Sequence, residues 1–138
     1  MLLTFPAPDV KWRAVLHEIK NVRQESGPGR RRWFESDGLD LIVWLSPRDE
    51  ISGFQLCYES LRGPHALTWR VDGGFTHCEV DEGDATPFKN ETPVLVPDGR
   101  VPWARIRGLF DERSAALEPG LREFVQEKLV TQAASGTR

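Results

Sequence analysis

The residue types best suited to binding chemistry in this chain are arginine, tryptophan and histidine, and they lie in segments with strand-like composition. Arg31, Trp33 and Trp44 belong to one predicted hairpin, and Arg70 and His77 belong to a second. Arginine offers paired N–H donors to a carboxylate or phosphate, histidine exchanges a proton near neutral pH, and tryptophan supplies an apolar wall. We predict that these five side chains form a ligand-binding surface for a small anionic ligand or a protein partner.

The first hairpin determines the neighbours of Arg31 and of the two tryptophans. Asp37-Gly38 is the preferred pair for a two-residue type I′ loop, in which both central residues have positive φ. This loop places Arg31 opposite Trp44 and Glu35 opposite Asp40. The first pair favours a cation–π contact, and the second favours a bound cation or a raised pKa. The simpler interpretation of the second pair is two solvated carboxylates at the hairpin tip.

The second hairpin turns around Asp72-Gly73-Gly74 and determines the face on which Arg70 lies. With a two-residue loop, alternation of side chains places the apolar residues of this hairpin on one face. The opposite face then carries the polar residues Thr68, Arg70, His77 and Glu79. Arg70 and His77 are directly opposed or one step diagonal, and Glu79 is an alternative internal partner for Arg70.

Two pairs of residues support an alternative hypothesis, in which the protein is an enzyme. Cys57 with His77 is a nucleophile and base if the two share a sheet face, and Glu35 with Asp40 is a carboxylate pair. His77 and Cys78 are adjacent in a strand and point to opposite faces, and no CxxC spacing occurs, so we predict no metal site. Phosphate loops, dinucleotide fingerprints and the GxSxG elbow are absent. We therefore predict no cofactor and no catalytic residue, and we prefer the hypothesis that the protein is not an enzyme.

Length and composition favour one globular domain. The chain has 138 residues, of which 39% are hydrophobic and 28% are charged. Its net charge of −3 gives no general attraction to nucleic acid or anionic membranes, so neither is expected as a partner. The N-terminus lacks the pattern of a signal peptide, and no apolar run approaches the roughly 18–20 residues needed to cross a bilayer. We expect a cytoplasmic protein with free thiols at its two cysteines.

The periodicity of the apolar residues predicts an α+β fold. A curved antiparallel meander of about five to six strands, either open or closed into a barrel, packs with an N-terminal helix and two C-terminal helices. The N-terminal helix is expected from the N-cap Asp9 through Val22, and the alternative is a strand over Ile19–Glu25 paired with Arg30–Glu35. Pro119-Gly120 separates the C-terminal helices.

Residues 1–132 are predicted to form the domain, with residues 133–138 as a disordered tail. Six ordered segments resemble a group of small bacterial proteins for which no activity is assigned. The segments are RRWF, DLIVW, GFQLCY, ALTWR, GF-x-H and TPVLVPDG. The resemblance covers the chain from Arg31 to the C-terminal helix and implies a single-domain, cytoplasmic bacterial protein. It transfers no catalytic residue, cofactor or substrate, and the oligomeric state stays open.

Overall fold

The structure is a computed structural model that describes residues 14–24, 29–61, 63–80, 96–97 and 101–136. Seven strands and two helices lie within these residues. The strands are β1 (His17–Glu18), β2 (Arg30–Ser36), β3 (Leu39–Leu45), β4 (Ile51–Ser60), β5 (Gly63–Arg70), β6 (Gly74–Glu79) and β7 (Val96–Pro97). The helices are α1 (Trp103–Arg113) and α2 (Pro119–Gly136). The domain boundary predicted after residue 132 therefore falls inside α2.

The strands form one antiparallel sheet in which each strand pairs with the next along the chain, in the order β1 to β7. The predicted α+β meander is confirmed. The two outermost strands, β1 and β7, do not pair with each other within the described residues, so the sheet is open and the barrel alternative is wrong. Within the same residues, no helix is long and apolar enough to cross a membrane.

The predicted N-terminal helix does not extend as far as Val22, because within the described residues only Ala14 is helical and a strand follows it. His17–Glu18 form β1, which pairs with Glu35 and Phe34 of β2. The apolar spacing fits a helix, but pairing with the open edge of β2 satisfies the backbone groups of both segments, and this tertiary contact overrides the local pattern. The first part of the predicted helix, residues 9–13, lies outside the described residues.

The alternative prediction, a strand over Ile19–Glu25, has the correct partner strand, β2. The observed strand lies earlier in the chain, at His17–Glu18. The Ile19 N–H donates to the Trp33 carbonyl at 2.9 Å, and the chain then leaves the edge of the sheet. Beyond Ile19, β2 is hydrogen-bonded by the side chain of Gln24 and not by a backbone strand. The Gln24 carboxamide accepts from the Arg31 N–H at 2.8 Å and donates to the Arg31 carbonyl at 3.0 Å.

The register predicted for the first hairpin is confirmed, but its loop type is wrong. Arg31 pairs with Trp44, and Glu35 pairs with Asp40. Gly38 has a φ of 82°, whereas Asp37 does not have positive φ, as a type I′ loop requires of both residues. The loop length alone fixed the register.

The face assignment predicted for the second hairpin is wrong because its loop has three residues. Arg70 pairs with Gly74, and His77 pairs with Leu67. One additional loop residue shifts the pairing by one position, which moves every side chain of β6 to the other face. His77 therefore lies on the apolar face, and Arg70 lies on the opposite one.

One face of the sheet, here named the core face, packs against both helices. Its side chains include Phe34, Leu41, Phe54, Leu56 and Leu67. They form one continuous cluster with buried helix residues, among them Ile106, Phe110, Leu121, Val125 and Leu129. The opposite side of the sheet is named the outer face, and it carries Arg31, Trp33, Trp44 and Arg70.

Candidate functional site

Three of the five predicted binding residues lie in a single row across the outer face. Arg31 of β2 pairs with Trp44 of β3, Trp44 pairs with Gly53 of β4, and Gly53 pairs with Arg70 of β5. Trp33 is two residues from Arg31 and shares its face. The structure therefore brings together all of the predicted residues except His77.

The contact at the centre of this row is a cation–π stack between Arg70 and Trp44. The Arg70 Cζ lies 4.4 Å from the centre of the Trp44 ring. Two strand spacings, about 10 Å, separate the backbones of these residues, so the side chains meet above the intervening strand β4. Gly53 makes this possible, because a Cβ there would lie 3.4 Å from Trp44 Cε3 and 2.8 Å from the Trp69 carbonyl oxygen.

The cation–π partner predicted for Trp44 is wrong, although the register behind the prediction is right. The Arg31 Cζ lies 5.9 Å from the centre of the Trp33 ring, on its own strand. Its Nη2 donates to the Arg23 carbonyl at 2.7 Å. The Arg31 side chain therefore lies along β2 against Trp33, and the side chain over Trp44 is that of Arg70, from two strands away.

Charges on the outer face are separated along the strands. The row beside the Arg31–Arg70 row consists of Trp33, Ile42, Gln55, Thr68 and Thr76, and none of these is charged. The next row carries the carboxylates Glu35 and Asp40. One end of the face is therefore cationic and the other is acidic, with an uncharged row between them.

Arg70 differs from Arg30 and Arg32 in the partners that it has. Arg32 forms ion pairs with Glu18 at 2.8 Å and Glu118 at 2.9 Å, and Arg30 lies 3.5 Å from Asp49. Arg70 is exposed and has no ion pair among the residues that the structure describes. Its guanidinium is thus held by an aromatic ring rather than neutralised by a carboxylate.

The opposed carboxylates Glu35 and Asp40 are arranged as predicted. Burial raises the pKa of Asp40, and the nearby charge of Glu35 raises it further. The Trp33 Nε1–H donates to Asp40 Oδ2 at 3.1 Å, and His17 pairs with Glu35 from β1. No group of three or more histidine, cysteine, aspartate or glutamate side chains within the described ranges is arranged to hold a metal ion.

The predicted nucleophile and base, Cys57 and His77, are not brought together. Cys57 pairs with Asp40 and Ala66 on the outer face, whereas His77 lies on the core face. Burial raises the pKa of the Cys57 thiol to about 12, so it is held as the unreactive thiol. Cys57 and Cys78 are both free, and two strand spacings of about 10 Å in total are too long for a disulfide.

A cluster of aromatic rings on the core face was missed by the sequence analysis. Tyr58, His65 and His77 are almost fully buried, with their ring centres 5.4–6.0 Å apart and nearly parallel. The Tyr58 hydroxyl and His77 Nε2 form a hydrogen bond of 2.6 Å. The sequence pattern placed His77 on a polar face. The period-two alternation of Tyr58 with Phe54 and Leu56 was the available signal that a polar ring enters the core.

These features define a small single-domain α+β protein with an arginine–tryptophan site on its outer face. No protein family, curated protein or solved structure matches the chain in the comparisons made with each.

Proposed function

We propose that the protein is a non-catalytic binding module whose ligand carries a carboxylate or phosphate group that Arg70 binds on the outer face. The observation that supports this proposal is the stack of Arg70 on Trp44 above Gly53, at 4.4 Å from the ring centre. The same chemistry accommodates a small anionic ligand or an acidic side chain of a protein partner. The Cys57–His77 form of the catalytic alternative is disfavoured because these residues lie on opposite faces, whereas the carboxylates of its second form, Glu35 and Asp40, do lie opposite each other.

Contact with the Trp44 ring holds the Arg70 guanidinium in place before an oxyanion binds. A flat guanidinium uses its face on the Trp44 ring and keeps its N–H donors in the plane, where a carboxylate or phosphate accepts two of them. Because the ring restricts the side chain before binding, less conformational entropy is lost when the ligand arrives. Lysine cannot reproduce this arrangement, since its ammonium is a compact and strongly hydrated point charge.

The surrounding charges favour an anion at this position. Arg31 is the other cation of the row, and the neighbouring row is uncharged. The carboxylates Glu35 and Asp40 lie beyond that uncharged row. Although the chain has a net charge of −3, Arg70 thus provides an exposed positive charge on this face.

The proposal predicts that oxyanion binding depends on the shape of the Arg70 side chain as well as on its charge. Phenyl phosphate, benzoate and a hexaglutamate peptide are titrated into the protein, with the backbone amide signals of residues 44 and 70 followed by NMR. We expect Arg70→Gln to weaken binding at least about tenfold, roughly the loss of one charge-assisted hydrogen bond, and Arg70→Lys to weaken it several-fold.

Arg48→Gln is the matched control, because Arg48 is an exposed arginine in the β3–β4 connection, and the cation over Trp44 among the described residues is Arg70. It removes the same charge and is expected to leave binding unchanged. Preference for the peptide over the two small probes identifies a protein partner, and the reverse identifies a small ligand. Equal affinities for the wild type, Arg70→Gln and Arg48→Gln would contradict the proposal.

A further inference from the structure

A second arrangement of charge and aromatic rings lies on the core face, where strands β4 to β6 meet the helices. Five aromatic side chains contact one another there. They are Phe54, Trp69, Phe75, Trp103 and Phe124. The Lys128 ammonium lies against two of them, with Nζ 5.0 Å from the centre of the Trp69 ring and 5.1 Å from that of Phe124.

Trp69 and Phe124 form a corner with two walls. Their ring centres are 5.4 Å apart, and their planes meet at 73°. Phe54, which is fully buried, fixes the Trp69 wall by stacking on it with ring centres 5.7 Å apart. Trp69 and Phe124 are themselves only partly buried, so the corner opens at the surface of the protein.

Lys128 enters this corner because of its position on α2. It follows Phe124 by four residues, which places both side chains on the same face of the helix. Within the described residues, Lys128 has no ion pair, although α2 also carries Glu123 and Glu127. The ammonium therefore lies on the negative faces of two rings and not beside a carboxylate.

An ammonium is not the cation that suits two aromatic walls best. A primary ammonium is compact and strongly hydrated, and water competes with the rings for it. A quaternary ammonium group is weakly hydrated and spreads its charge over methyl groups that pack against aromatic faces, which is why such groups are bound by aromatic cages. The net charge of −3 adds a general attraction for cations.

We propose that the corner formed by Trp69 and Phe124 is a binding site for an organic cation with a quaternary ammonium group, and that Lys128 is its internal competitor. The ligand displaces the Lys128 ammonium into solvent and takes its place against the two rings. This site lies on the core face, and the Arg70 site lies on the outer face. The two proposals can therefore be tested independently of each other.

The experiment uses choline and its neutral isostere 3,3-dimethylbutan-1-ol, which has the same shape without the charge. Each is titrated into the full chain, with the backbone amide signals of residues 69, 124 and 128 followed by NMR. We expect choline to shift these signals and the alcohol to bind at least threefold more weakly. Lys128→Met removes the competing ammonium but keeps most of the stem, so we expect it to bind choline at least threefold more tightly than the wild type.

Lys20→Met is the matched control, because it makes the same change of charge at an exposed lysine that follows β1, outside both helices, and should leave choline affinity unchanged. Trp69→Phe keeps an aromatic wall and is expected to weaken choline binding several-fold, and Phe124→Leu serves as a second test should the Trp69 variant fold poorly. Equal affinity for choline and the alcohol, or no gain in Lys128→Met over Lys20→Met, would overturn the proposal.

Discussion

At the scale of single residues, Arg32 joins three separate parts of the fold. Its guanidinium donates to both carboxylate oxygens of Glu18 in β1 and to those of Glu118, which precedes α2. Hydrogen bonds from Arg32 hold the pKa values of Glu18 and Glu118 below their usual range. Two carboxylates share one planar cation, so this contact is a small network rather than an isolated surface pair.

We expect Arg32→Gln to lower the free energy of unfolding by about 1 kcal/mol at pH 7, since both carboxylates remain partly exposed to solvent. Lowered carboxyl pKa values in the folded state contribute stability above the unfolded pKa, and this contribution is lost as the pH falls through the folded values. Urea unfolding at about pH 7 and about pH 2.5 should therefore show a difference from the wild type that disappears in acid. Arg30→Gln is the control, because Arg30 and Asp49 are 55% and 70% exposed and 3.5 Å apart. A similar loss in both variants would refute a special role for Arg32.

At the scale of elements, strand β4 positions the outer-face site by having no side chain at Gly53. Trp44 and Arg70 come from the strands on either side of β4 and meet above this glycine. The same residue brings β4 close to the Trp69 carbonyl of β5. The close approach of β4 to β5 and the contact between Arg70 and Trp44 therefore both depend on Gly53.

Gly53→Ala should destabilise the fold by about 1–3 kcal/mol, as overpacking does, because its Cβ meets a backbone oxygen that cannot move freely. It should also displace the Trp44 ring, which the NMR signal of the Trp44 indole N–H would report. Gly108→Ala is the matched control, and we expect it to change the free energy of unfolding in the opposite direction. Gly108 lies within α1, where a Cβ would meet nothing within 4 Å, so this change should stabilise the protein by about 0.5–1 kcal/mol. Unchanged stability and an unshifted Trp44 signal in Gly53→Ala would show that β4 does not control the site.

At the scale of the whole molecule, one core links the sheet to both helices. The buried cluster extends from Leu16, before β1, through the sheet to Leu129 in α2. The Leu16 N–H also donates to the Arg113 carbonyl at the end of α1, at 2.8 Å. The segment before the sheet is thus attached to the helices as well as to β2.

We expect a single cooperative unfolding transition, because the sheet and the helices have no separate cores. Tryptophan fluorescence reports mainly on the sheet, and far-UV circular dichroism reports strongly on the helices. Their urea midpoints should coincide. An earlier loss of the circular dichroism signal would show that α1 and α2 unfold independently of the sheet.

The sequence by itself determined the α+β class, the complete register of the first hairpin and the two C-terminal helices. These features follow from local causes: a two-residue loop fixes the pairing of its strands, and apolar residues at helical spacing form a face that must be buried. Of the candidate site, the sequence placed Arg31, Trp33 and Trp44 together on one face, because they belong to that hairpin.

Only the tertiary structure decided the rest. The length of the second loop, three residues instead of two, separated His77 from Arg70, since a shift of one position reverses the faces of a strand. The stack of Arg70 on Trp44 and the corner around Lys128 join residues that are far apart in the chain. Such contacts depend on which strands and helices become neighbours, and that is set by burial of the whole core and not by any local pattern.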